Sequence, residues 1–236
     1  MWANTDLPFP SSNMPDPVNR TALEVYQRLL KFYGNPEWRT ALPPLDELVS
    51  TILSQNTNDV NRDRAFNALR AKFPTWEDVE LADPAEVVEA IRRAGLANQK
   101  GPRIQQVLAQ IRGERGELNL DFLKGLPRDE ARQWLLKFKG VGPKTAAIVL
   151  QFSLDMPAFP VDTHIYRVTG RVGLRPENMD VTSAHEYLES AFPPESYYAA
   201  HLNIIRLGRE ICHPARPECH ACPLVNLCQF AINIKV

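Results

Sequence analysis

Apolar residues recur at helical spacing along most of this chain. Ala22, Val25, Tyr26, Leu29, Leu30 and Tyr33 form one stripe, stopped by Gly34. Leu45 to Leu53 is a second apolar segment, ending in the polar run Ser54-Gln55-Asn56-Thr57-Asn58-Asp59. Asn58 or Asp59 can cap the next helix, Val60 to Phe73. Asp83-Pro84 opens a helix to Ala94, a cap followed by proline at the first helical position. Gly95 to Lys100 reads as a turn. Helices follow from Arg103 to Ile111, briefly near Phe122, and from Pro127 to Phe138. The apolar run Ala146 to Phe152 comes next, after a glycine-rich turn. Asp162-Thr163-His164 starts a helix through Val172, and Thr182 to Phe192 and Tyr197 to Glu210 are the last long ones. Residues 1–20, with Pro8, Pro10, Pro15 and Pro17, read as an extended leader. No convincing strand and no fixed-period repeat is present, so the pattern predicts an all-α protein of about a dozen short helices.

Composition is that of an ordinary soluble globular protein, with 44% hydrophobic and 23% charged residues. No apolar run reaches membrane-spanning length and no signal-peptide pattern opens the chain, which predicts an intracellular, cytoplasmic protein. The net charge of −1 announces no nucleic-acid partner. The distribution of charge says more. Three windows lack acidic residues: one holds Arg92, Arg93, Lys100, Arg103 and Arg112, the next Arg132, Lys137, Lys139 and Lys144, the third Arg167, Arg171 and Arg175. They could converge on one positive face or remain separate solvated faces.

The turn Phe138-Lys139-Gly140-Val141-Gly142-Pro143-Lys144-Thr145-Ala146 carries the densest chemistry. Glycines let backbone approach a ligand closely, and proline pre-organises the first helical position. The stretch reads as helix, tight hairpin, helix, with Lys144 in the first turn of the second helix. The dipole there is positive, a poor place for a cation and a good one for a phosphate. A plain helical hairpin and a phosphodiester-binding turn with an amine nucleophile both fit. Asp162 is a helix cap, and a fixed carboxylate near an amine can also take its proton or stabilise a developing cation.

All four cysteines, Cys212, Cys219, Cys222 and Cys228, fall near the C-terminal end, spaced C-x6-C-x2-C-x5-C. Zinc ribbons usually have two close pairs set far apart, so one compact loop suits a single iron–sulfur cubane better. Zinc is the alternative.

These stretches together resemble the endonuclease III family of the helix-hairpin-helix DNA glycosylase superfamily: the hairpin, then V-D-T-H-I-Y-R-V, then the four cysteines, in that order. The resemblance runs from about Leu45 to Cys228. It implies a two-domain all-α fold with duplex DNA in the cleft between. A six-helix barrel with the helix-hairpin-helix would occupy residues 37–156, and an iron–sulfur domain residues 21–36 plus 157–236. It further implies that Lys144 and Asp162 are catalytic and that the four cysteines hold one 4Fe-4S cluster. The DNA contacts would be Lys139, Gly140, Val141, Gly142 and Thr145. Gln55 or Asn56 would fill the gap left by a flipped nucleotide. The chain would act as a monomer.

Two departures bear on function. The family often has Leu-Pro where this chain has Phe138-Lys139. Adenine-mismatch enzymes of the superfamily carry a catalytic glutamate where this chain has Thr51, and they lack the hairpin lysine; mismatch-thymine enzymes replace that lysine with tyrosine. Lys144 thus points to a bifunctional glycosylase and lyase for oxidised pyrimidines. The alternatives are a monofunctional uracil or mismatched-thymine glycosylase, and a non-catalytic DNA-binding module with a structural metal site.

Overall fold

The structure, a computed structural model, describes residues 17–235. The described residues form twelve α-helices, several short 3-10 turns and no strand. In chain order these are α1 (Pro17–Tyr33), α2 (Pro44–Ser54), α3 (Asp59–Lys72), α4 (Trp76–Leu81), α5 (Pro84–Ala90) and α6 (Ala97–Arg115). Then come α7 (Arg128–Leu136), α8 (Pro143–Ser153), α9 (Thr163–Val172), α10 (Val181–Ala191), α11 (Tyr197–Glu210) and α12 (Gln229–Asn233). None is long and apolar enough to cross a membrane.

The expected leader needs correction where it is described. Residues 17–20 already belong to α1, with Pro17 in the first turn, where proline is tolerated; residues 1–16 lie outside the described part. Three further departures are local. A capping box between Thr75 and Asp78 starts α4, which the apolar pattern did not reveal because the helix has only 6 residues. The helix expected to Ala94 gives way to a 3-10 turn at Arg92–Ala94. The expected turn Gly95–Lys100 is confined to Gly95 (φ 65°) and Leu96 (φ 51°), and α6 then begins at Ala97.

Buried apolar residues fall into two cores. The first runs from Leu45 on α2 to Ala158, just beyond α8. The second combines Ala22, Val25 and Leu29 of α1 with residues from Phe159 to Ala231. The chain therefore leaves one core after α1, builds the other, and returns: an all-α, two-domain fold. Polar side chains span the seam. Glu189 on α10 takes Arg132 Nη2 of α7 at 2.6 and 2.8 Å and accepts from the backbone N–H of Phe159 at 3.0 Å. Both partners of that ion pair are largely buried, so removing one would leave a charge uncompensated.

Lys100 also departs from expectation. It belongs to no positive face but is 1% exposed. Its Nζ donates to the carbonyls of Leu53 and Ala94, both at 2.8 Å, and burial pushes its pKa down to about 8. It ties the end of α2 to the turn before α6.

The hairpin between α7 and α8 is built as its glycines suggest, but the two glycines differ. Gly140 has φ +89°, and a Cβ there would stand 2.3 Å from Cδ of Arg103. Gly142 has φ −96° and nothing within 4 Å of that position. The fold thus demands glycine at the first position only. Gly140→Ala should destabilise the protein by about 2 kcal/mol, the penalty of a left-handed L-residue, before any collision with Arg103. Gly142→Ala should stay within about 0.5 kcal/mol of the parent. Urea unfolding curves check this; equal losses in the two variants would contradict it.

A cleft between the two cores as candidate active site

The C-terminal end of α2 and the N-terminal end of α8 are joined by side chains. Gln55 Nε2 donates to the Gly140 carbonyl at 3.1 Å, and Arg103 Nη1 donates to Gln55 Oε1 at 3.1 Å. Gln55 is therefore fixed within the hairpin's own network. Asn56 beside it is exposed, has left-handed backbone (φ 53°), and its side chain makes no hydrogen bond among the described residues. The two candidates left open by the sequence are thus unequal: one is tied down and the other is free.

The hairpin gives α8 no side-chain cap, because its cap residue is Gly142. Val141 and Thr145 are 5% and 3% exposed, so what they offer outward is backbone rather than side chain. Lys139 is exposed.

Lys144 and Asp162 line one cavity of about 710 Å³ in the seam between the cores, and Gln55 and Asn56 stand at it as well. Lys144, Ile148 and Phe152 follow at i, i+4 and i+8, one stripe of α8 facing the cavity. Asp162 is the N-cap of α9, with Oδ1 accepting from Ile165 N at 2.7 Å. That bond fixes the carboxylate. His201 of α11 lines the same space. Its Nδ1 sits 3.0 Å from the Pro160 carbonyl, which can only accept, so Nδ1 carries the hydrogen. Burial pushes its pKa down to about 4 against the pull of Asp162, while Lys144 and Arg39 push the same way as burial. The imidazole is neutral at physiological pH and leaves Nε2 as an acceptor.

Arg39, Glu47 and His201 are among the cavity residues that sequence reasoning missed. Glu47 is 3% exposed on α2, and Arg39 Nη2 meets its Oε2 at 2.7 Å. Arg39 also lies 4.4 Å over the Phe152 ring. The signal for Glu47 was a charge inside an apolar helical segment; Arg39, in the loop before α2, gave none. Thr51, noted only for what it is not, is buried on the same face of α2.

Several cations of the three basic windows are taken up by internal partners, while Arg103 of the first window meets the hairpin that carries Lys139 and Lys144 of the second. Arg112 pairs with Glu80 at 2.9 Å and Arg132 with Glu189. Arg167 donates to the carbonyls of Cys212 and Gly208, Arg171 to those of His213 and Pro214, and Arg175 to that of Tyr166. The third window holds a domain together. Arginine forks satisfy loop carbonyls well, and a loop-rich region has many to satisfy.

Cys212, Cys219, Cys222 and Cys228 all line one small pocket together with Arg171, Ile211 and Phe230. Arg171 Nη1 donates to Cys212 Sγ at 3.2 Å. Burial above all, with the other cysteines adding to it, pushes the Cys222 thiol up to about 11, and burial raises Cys228 too. Four thiolates here need a counter-charge among them. Among the described residues no three His, Cys, Asp or Glu are grouped closely enough for a single metal ion.

A protein of Arabidopsis thaliana named as a candidate DNA glycosylase is 38% identical over 192 residues, covering 77% of this chain and 65% of that protein. The match therefore spans just under two thirds of that relative. Endonuclease III of Thermotoga maritima is 32% identical over 188 residues, 79% of this chain and 83% of that enzyme. The solved structure of a trapped endonuclease III–DNA covalent intermediate superposes with a TM-score of 0.79 at 27% identity, covering 94% of this chain and 100% of that one. Residues 49–194, more than half of the chain, match the model of the HhH-GPD superfamily base excision DNA repair protein, and the chain belongs to that superfamily.

Proposed function

We propose that this protein is a bifunctional glycosylase and abasic-site lyase, which excises oxidised pyrimidines from duplex DNA and nicks the strand through a lysine Schiff base. The observation that carries the reading is the shared cavity of Lys144 and Asp162, an amine and a fixed carboxylate lining one space between the two cores.

The parts act in order. A base inside a duplex is out of reach, so its nucleotide must be extruded, at a cost of roughly a few kcal/mol. The uncapped N-terminus of α8 grips a phosphate through backbone N–H groups. Gly142 fits that role, since the space beside it is left open although the fold would accept a side chain. Asn56, free and exposed, fills the gap left by the extruded nucleotide, while Gln55 holds the hairpin. Lys144 Nζ bonds to the sugar C1′ through its lone pair as the glycosidic C–N bond breaks and the electron pair leaves with the base. Asp162 stabilises the cationic sugar and takes a proton from the new amine. Loss of the ring oxygen's bond to C1′ gives the Schiff base. Removal of a C2′ proton then expels the 3′ phosphate by β-elimination, which nicks the strand.

We infer that Cys212, Cys219, Cys222 and Cys228 hold one 4Fe-4S cluster. When bound, its irons would take the four thiolates as ligands and offset part of their charge, which would hold the cysteine loop together. It takes no part in the steps above.

Three experiments test this. On a duplex with one abasic site the protein should nick without added base, and Lys144→Gln should lose nicking while keeping affinity. Asp162→Asn retains a capping side chain, so its fold should survive while base excision falls by orders of magnitude. A wild type that releases base and never nicks would be monofunctional instead. Anaerobically purified protein should be brown, with about four irons per chain; a colourless preparation with one zinc would overturn the cluster.

A further inference from the structure

The Arg39–Glu47 pair has no part in the chemistry just described, yet it lines the same cavity. Its position follows from the antiparallel packing of α2 and α8. Gln55 at the end of α2 meets Gly140 at the start of α8. Moving away from that junction, α2 presents Thr51 and then Glu47, while α8 presents Lys144, Ile148 and then Phe152. Glu47 therefore lies at the level of Phe152, eight residues or about 12 Å along the helix axis from Lys144. Arg39 closes that end, over the Phe152 ring and against Glu47. A nucleophile at Lys144 must meet C1′, and a base that points down the cavity from there has its far edge toward Arg39 and Glu47.

Glu47 ties the loop before α2 to that helix through Arg39, but the pair leaves the carboxylate incompletely matched. Glu47 is 3% exposed, and burying a charge is unfavourable unless it is paired and hydrogen-bonded. Oε2 has Arg39 at 2.7 Å. Among the described residues Oε1 has the Thr51 hydroxyl alone, at 3.5 Å, a long contact. One oxygen of a buried, acceptor-only group is thus weakly held at the cavity wall.

We propose that Arg39 and Glu47 read the far edge of the extruded base and select pyrimidines bearing a 4-amino group, the cytosine type, over their 4-oxo counterparts. This rests on the reading of Lys144 as the nucleophile. The 4-amino group offers two N–H donors, and a carboxylate beside it accepts one; Glu accepting from cytosine N4 is an established pairing in base recognition. Arg39, held alongside, has N–H groups for the ring N3 acceptor. In a 4-oxo base a carbonyl lone pair replaces the amino group and faces the carboxylate. Its N3–H is flanked by carbonyls on both sides, so an approaching carboxylate meets repulsion. A site built around buried polar groups discriminates against the ligand that leaves them unmatched.

The test uses 5-hydroxycytosine and 5-hydroxyuracil in one duplex context. Both are oxidised pyrimidines, and they differ as amino and oxo at position 4. Single-turnover excision by the full chain should favour 5-hydroxycytosine by about 10- to 100-fold. Glu47→Gln is isosteric and its amide can donate, so the ratio should shrink toward one or invert. Arg39→Gln, at a residue 40% exposed, is the second arm and should also narrow the ratio. The readout is a ratio within each variant, so a general loss of activity does not imitate the effect. Equal excision of the two bases by a wild type that nicks abasic duplex would overturn this proposal alone. An unchanged ratio in both variants would also overturn it. Failure of the wild type on both bases and on the abasic duplex would overturn the functional reading with it.

Discussion

Gln55 donates to the Gly140 carbonyl and accepts from Arg103, and through that amide α2 and α8 meet end to end in fixed register. The rest of the cleft depends on this junction. Because the helices run antiparallel from it, one stripe of α8 and one stripe of α2 face each other across a single cavity. Lys144 comes nearest the junction, and the Arg39–Glu47 pair closes the far end. Positive φ at Gly140 lets the hairpin turn tightly enough for its carbonyl to reach Gln55. Arg103 packs where a Cβ would be, so the turn and its clamp require each other.

The second wall comes from the other core. The chain re-enters that core at Phe159, and Asp162 follows three residues later as the cap of α9. Glu189 holds the re-entry point against α7. The capping bond that starts α9 is thus also what points a carboxylate at the cavity. Burying His201 beside it, neutral and bonded to Pro160, keeps another charge out of a site that already holds Lys144 and Arg39. The arginines of α9 serve the same end indirectly, because they fasten the cysteine loop to that helix.

Much of this was legible in the sequence, for physical reasons that can be named. Long amphipathic helices announce themselves by period, and Asn58, Asp83 and Asp162 mark three starts because short polar side chains satisfy first-turn N–H groups. The glycine hairpin was legible because few backbones need glycine, proline and an apolar run in that order. What failed was information that resides in tertiary partners. Lys100 reads as one more surface cation, but two carbonyls from distant turns bury it. Arg167, Arg171 and Arg175 look like a nucleic-acid stripe until their carbonyl acceptors are seen. Glu47 shows only as a blemish in an apolar segment, since Arg39 lies in a loop with no period of its own. Short α4 escaped because one and a half turns carry too little pattern to separate from a loop.

The account's central claim is that the nucleophile of this cleft is the amine at the start of α8. Borohydride added during turnover on damaged duplex should reduce the Schiff base and leave protein covalently bound to DNA. Proteolysis and mass spectrometry of that adduct then identify the modified residue. The account predicts a single modified peptide, with the sugar remnant on Lys144. A remnant on Lys139 or on any other amine, or nicking with no trapped adduct at all, would contradict it.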